Sequence, residues 1–229
     1  MNIQVIKMDI VIETAETLIE RDMQLKSLDK RLMEFMINQI GHRPQSHGFA
    51  HSCRVSRYAI YISFVMAFDA SVHIPVLIVS WMHDLLDGKY ASEYDENYEA
   101  MRLFLKDFDY KWLKKIMDRI SRSREVKYGD SDWLAEIGAE GILIRNIVSD
   151  ADKLDAIGIH GIYRCLDYTR EINPHLIYKE ALIKAIGHID TYLVPLFRDF
   201  LKMEVAIELA RPLQIEMLDH LEGLKKKFL

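Results

Sequence analysis

A chain of 229 residues, 50% hydrophobic and 28% charged, carries enough apolar surface for one sizeable core and too much to stay disordered. Its formal net charge of −5 argues against long nucleic acid as a partner, although a bound cation and a few local basic residues can still suit one pocket to a small phosphorylated ligand. Cys53 and Cys165 form no CxxC pair, Lys7, Asp9 and Glu13 interrupt the N-terminal apolar stretch, and the apolar run 74–82 is short, so a disulfide framework, a signal peptide and a membrane span of about 20 residues are all unsupported.

The expectation is a cytoplasmic protein with reduced thiols and no membrane partner. Leu28, Leu32, Phe35, Met36 and Ile40 recur at helical steps, with Ser27 as the expected N-cap. Val55, Tyr58, Ala59, Ile62 and Met66 predict the next helix. A third spans 74–86, with Pro75 in its first turn, where a missing N–H is harmless. Further helices are predicted at 96–106, 110–120, 133–155, 174–189 and 194–224, the last broken near Pro212. The polar stretch 122–132 reads as a loop, substrate-facing or merely connecting, and Lys225, Lys226 and Lys227 read as a solvated helix end. No two-residue alternation marks a strand. The expected class is all-α, a single helical domain over 1–229.

Ligand-type residues cluster in three segments: SHGFAHSCRV from Ser46, WMHDLLDGKY from Trp81 and VSDADKLDAIG from Val148. Metal sites in helical bundles are built from histidines and carboxylates projecting inward from several helices. Side chains of adjacent helical residues such as His83 and Asp84 diverge by about 100°, so both reach one ion only if it lies between their directions. Asp150, Asp152 and Asp155 crowd three carboxylates that repel unless a cation or a basic group compensates; a surface cluster paired with Lys153 is one reading, and the apolar neighbours Ile147, Val148 and Leu154 argue for an interior cation.

In this order the segments resemble the HD-domain metal-dependent phosphohydrolase superfamily, a His, then a His-Asp doublet, then a distant Asp, over a core of about 46–168. In the most similar branch the motifs read S-H-D-x-x-H-x-x-R-V, H-D-x-x-D-x-K and D-A-D-x-L-D-A-I-G; here they read SHGFAHSCRV, HDLLDGK and DADKLDAIG. The resemblance implies His51, His83, Asp84 and Asp152 as ligands of one divalent ion (manganese, iron, cobalt, nickel, magnesium or zinc), with His47 behind them or facing substrate. It implies a hydrolase for a small phosphorylated compound, a nucleotide above all, acting as a triphosphate pyrophosphohydrolase or a monophosphatase.

Within that scheme Asp84 holds the metal at the reaction centre, and Asp87, three residues on, is the candidate general base. Lys89, Arg54, Arg122 and Arg124 are candidates for phosphate oxygens. Ser123 and Arg124 match a Ser and a basic residue of the relatives. One departure stands out: Gly48 replaces the branch's first-motif aspartate. It favours the alternative of a metal-containing nucleotide-binding module with weak turnover. His160 and Cys53 read as structural residues, and oligomeric state is not legible.

Overall fold

The computed structural model describes residues 8–44, 48–129 and 132–229, and among these it contains helices and turns but no strand. Helices α1 (Met8–Arg21) and α2 (Met23–Ile40) are followed by α3 (Phe49–Val65) and α4 (Ala70–Met82). A 3-10 turn, Gly88–Glu93, leads to α5 (Tyr94–Phe104), α6 (Tyr110–Met117), α7 (Arg122–Tyr128), α8 (Asp132–Ala135) and α9 (Gly138–Ala156). Then come α10 (Ile159–Ile172), α11 (Tyr178–His188), a π turn at Ile189–Leu193, α12 (Leu196–Asp199) and α13 (Glu204–Phe228).

Helices α3, α4 and α9 pack on one another and form the kernel that positions the site. Val55, Ala59 and Ile62 of α3, Val76 through Val79 of α4, and Ile144, Ile147 and Val148 of α9 are fully buried. Each buried Val or Ile side chain contributes about 1.5–3 kcal/mol on leaving water, and the Ala59 methyl less. The indole of Trp81 donates to Asp29 at 2.7 Å, and Arg57 grips the same carboxylate at 2.8 and 2.9 Å. The buried N–H is thereby satisfied, and α2 is tied to α3 and α4.

Several predicted boundaries are corrected. Ser27 is not an N-cap: α2 starts at Met23, where the Asp22 carboxylate accepts from the Gln24 and Leu25 amides at 2.8 and 3.0 Å. Likewise Asp69 caps α4 through Ser71 N at 2.9 Å, so Pro75 sits inside the helix and not in its first turn. Pro212 does not break α13; Leu209, Ala210, Met217 and Leu221 are buried on both sides of it, and their packing offsets the roughly 3 kcal/mol that an internal proline costs. The predicted 133–155 helix is two, because Gly138 takes φ +69° at the start of α9.

The polar stretch at 122–132 is not a loop throughout, since 122–128 is α7. Its Glu125 is buried among Lys202 at 2.8 Å, Lys153 at 3.2 Å and Arg145 at 3.3 Å. Polar residues here hold a helix in place by charge pairing, which a hydrophobic pattern does not register.

Candidate metal centre

The three kernel helices end at one point. His51 comes from the first turn of α3, His83 and Asp84 directly follow α4, and Asp152 lies near the end of α9. His51 Nε2 is 3.2 Å from His83 Nε2, 3.5 Å from Asp84 Oδ2 and 3.3 Å from Asp152 Oδ1. His83 Nε2 is 3.6 Å from Asp84 Oδ1 and 3.8 Å from Asp152 Oδ1. Donor atoms of His51, His83 and Asp84 lie within 4.8 Å of one another, a cluster able to hold a metal ion.

The tautomers follow from the partners. His51 Nδ1 meets the Asp155 carboxylate at 2.7 Å and His83 Nδ1 meets the Ser80 carbonyl at 2.9 Å. Both partners are acceptors only, so each Nδ1 carries hydrogen and each Nε2 faces the other ring and the two carboxylates. Ring nitrogens and carboxylates converging at this range demand positive charge, supplied by a proton or by a bound cation. Burial and the Arg164 charge oppose protonation of His51, yet hydrogen bonds to Asp152, Asp155 and Asp84 push its pKa up to about 10. Burial likewise opposes ionisation of Asp152, but its hydrogen bond to His51 and the His83 charge lower its pKa. Two imidazoles and two carboxylates are a donor set that fits a divalent cation.

Asp155 stands behind His51 and is fully buried. It accepts from Arg54 Nε at 2.5 Å and from Arg54 Nη2 at 3.1 Å, and it also pairs with Arg164. Burial works against its charge, but the His51 hydrogen bond and the two guanidinium groups hold it far below the usual carboxylate range. A further support is Arg43, whose side chain is 1% exposed. Its guanidinium donates to the carbonyls of Asp84 and Leu85 at 3.0 and 3.1 Å and to Glu93 at 3.0 and 2.7 Å. It also lies 4.1 Å from the Tyr90 ring centroid. Arg43 thus fastens the turn that carries the His-Asp doublet.

A cleft of about 270 Å³ opens over His83, Asp84 and Asp152 and is lined further by Asp87, Lys89, Lys114, Asp118, Ser121, Ser123 and Arg124. Of the sequence candidates it gathers His83, Asp84, Asp87, Lys89, Ser123, Arg124 and Asp152 in its lining, with His51 outside the lining but 3.2 Å from His83. Asp87 reaches it by a different route from the one expected: α4 stops at Met82, and the Asp87 carboxylate accepts from Lys89 N at 2.8 Å to cap the 3-10 turn. Arg54 lies outside the cleft, its guanidinium engaged by Asp155, and Arg122 packs against Tyr192 and Phe200. His160 stands 4.0 Å from Asp155, also away from the cleft. His47 lies outside the described residues. Burial pushes the Cys53 thiol upward in pKa, consistent with a packed, unreactive group.

Lys114 on α6 and Asp118 at its C-terminal cap, paired at 2.6 Å, went unnoticed in the sequence. Their i, i+4 spacing looks like any solvated helix pair. Arg43 and Arg164 were missed too, since their roles exist only in the folded chain. Gly48 has a steric reason: a Cβ there would come within 2.7 Å of the Arg43 and Pro44 carbonyl oxygens.

No protein-family model matches the chain. An uncharacterised protein, L803, of Acanthamoeba polyphaga mimivirus is 27% identical over 158 residues, 61% of this chain and 58% of its own length. The chain therefore spans less than two thirds of that relative. Among solved structures, one from Lactobacillus plantarum superposes with TM-score 0.68 at 21% identity, over 88% of this chain and 96% of that one. Bacillus subtilis YpgQ in complex with ADP gives 0.60 at 23% identity, over 88% and 93%. The Lin1889 protein of Listeria innocua gives 0.57 at 18% identity, over 97% of each chain. Among the described residues no helix is long and apolar enough to cross a membrane. The chain has the all-helical fold of these structures, with a His and Asp cluster able to hold a metal ion.

Proposed function

We propose that the chain is a metal-dependent phosphohydrolase of the HD type acting on a small phosphorylated compound, a nucleotide, as a triphosphate pyrophosphohydrolase or a monophosphatase. One observation carries this reading. His51, His83, Asp84 and Asp152 meet at one edge of a cleft whose lining also includes Lys89, Lys114 and Arg124. An acidic metal-binding pole beside a basic rim is the charge pattern that a phosphate ester needs. That a protein of the same fold was solved with ADP supports a nucleotide.

In this reading the four residues hold one divalent ion, manganese, iron, cobalt, nickel, magnesium or zinc. When bound, the ion supplies charge neutralisation and a water of lowered pKa for attack on phosphorus. Asp155 holds His51 in the ligating tautomer, and Arg43 keeps the doublet turn in place. Asp87, in the same cleft, orients the attacking water and accepts its proton. Lys89, Lys114 and Arg124 bind phosphate oxygens, and the Ser121 and Ser123 hydroxyls, 3.0 Å apart, add donors. Arg54 belongs to the support of His51 and not to the phosphate site.

A second reading, a metal-containing nucleotide-binding module with weak turnover, is favoured by Gly48, where the backbone leaves no room for the family's carboxylate. The deciding experiment measures phosphate and pyrophosphate release from nucleoside mono- and triphosphates with manganese, comparing wild type with Asp84→Ala and Asp152→Ala. Release that both folded variants abolish supports the hydrolase, and the product identifies the bond cleaved. Nucleotide binding without release sinks the enzyme reading in favour of the module.

A further inference from the structure

Beside the cleft stands a group of rings that the mechanism above leaves without a task. The Lys89 ammonium, which lines the cleft, lies 5.3 Å from the centroid of the Tyr168 ring on α10. At the end of α11 the rings of His188 and Tyr192 are 4.5 Å apart between centroids. Arg122, next in sequence to cleft-lining Ser121 and Ser123, places its guanidinium 5.2 Å from the Tyr192 ring and 4.7 Å from the Phe200 ring. Tyr192 nevertheless stays 44% exposed.

Two independent features mark this group as more than surface packing. First, the His188 and Tyr192 rings meet where α11 gives way to the π turn Ile189–Leu193, and π turns recur at functional sites. Second, burial and the neighbouring charges of Arg122 and Lys89 lower the His188 pKa. A neutral imidazole beside a phenol, with two cations near, is a surface for a flat ring carrying nitrogen and oxygen acceptors.

We propose that Tyr168, His188 and Tyr192 form the receptor for the base of a nucleotide whose phosphates lie along Lys89, Lys114 and Arg124. The proposal rests on the phosphohydrolase reading of the cleft and adds the part of the ligand that reading leaves open. Lys89 joins the two parts, lining the cleft with Asp84 and Asp152 and lying 5.3 Å from the Tyr168 ring centroid, as a nucleotide joins its phosphates to its base. Because any base offers a π face, the receptor accepts purines over pyrimidines by stacking area and distinguishes little else.

The test is calorimetric binding to the full chain of two probes, adenosine triphosphate and inorganic tripolyphosphate, with magnesium present. Wild type is expected to bind the nucleotide about 10-fold more tightly than tripolyphosphate, the share that one stacked base contributes. Tyr192→Ala and, separately, His188→Ala reduce nucleotide affinity by about that factor and leave tripolyphosphate unchanged, while Tyr192→Phe keeps wild-type affinity. Equal binding of both probes by wild type, unaltered in the variants, overturns the receptor and leaves the phosphate reading standing. Loss of both probes in Tyr192→Ala, with its melting transition retained, shows that the ring acts on the phosphate arm through Arg122 and also overturns it. If wild type binds neither probe, the reading of the cleft and the receptor fail together.

Discussion

Replacing Arg43 by alanine probes how the His-Asp doublet is held. The substitution removes donors at 3.0 and 3.1 Å from the carbonyls of Asp84 and Leu85 and at 3.0 and 2.7 Å from Glu93. A buried carbonyl that loses its donor costs about 1–3 kcal/mol. Leu85 O keeps a weak alternative in Asn97 Nδ2 at 3.5 Å, and Glu93, 28% exposed, regains water, so both terms fall toward the low end. The sum is about 3 kcal/mol of folding stability, a loss that a domain stable by roughly 5–15 kcal/mol survives. Because the freed turn carries two proposed ligands, manganese affinity should also fall by about 10- to 100-fold. Arg43→Lys keeps the charge but offers one ammonium to two carbonyls, and should fall between. Urea denaturation at constant m-value reads the first quantity and manganese titration calorimetry the second. An Arg43→Ala variant within about 1 kcal/mol of wild type, with unchanged manganese affinity, would refute the argument.

Gly48→Ala should lower stability by about 1–3 kcal/mol, because the added Cβ forces apart the backbone at Arg43 and Pro44; the shift in urea midpoint measures it. Gly48→Asp should fare no better and should not raise turnover. His73 supplies a pH dependence unconnected with the metal centre: it is buried, hydrogen-bonded to Ser63 at 3.1 Å and stacked on Phe64 at 3.9 Å. Burial holds its pKa below 6.5 despite the opposing charges of Asp22 and Asp69. The unfolded chain therefore takes up a proton first as pH falls, so this stability is complete above 6.5 and is lost below it. The slope is at most about 1.4 kcal/mol per pH unit. His73→Phe should remove that component from a pH series of melts, and an unchanged series would contradict the assignment.

The helical class was legible because apolar periodicity survives in nearly every element, and the ligand candidates because His51, His83, Asp84 and Asp152 sit in ordered motifs. Helix starts were less legible. Asp22 and Asp69 cap helices whose first turns mix apolar with polar residues, Met23 to Lys26 and Ala70 to His73, so the apolar stripe stands out only further along. The ion group around Glu125 hid α7 for the same reason, charged residues reading as solvent-facing when they face one another. Asp155 was visible as a carboxylate, but its task as the holder of His51 depends on Arg54 and Arg164, one from α3 and one from α10. Such convergence is a property of the fold and leaves no mark in local sequence.

The meeting of the three kernel helices also bears on the order in which the molecule is made. His51 and His83 are 32 positions apart, but His51 and Asp155 are separated by 104. During synthesis the two histidines and Asp84 emerge long before Asp152 and Asp155, so the nascent chain holds an incomplete cage until α9 has left the ribosome and docked. Closing that long loop is an entropic expense met only when α3, α4 and α9 pack together. The centre is therefore a late product of folding, and a truncation before α9 should leave a chain with two of its motifs in place and no site.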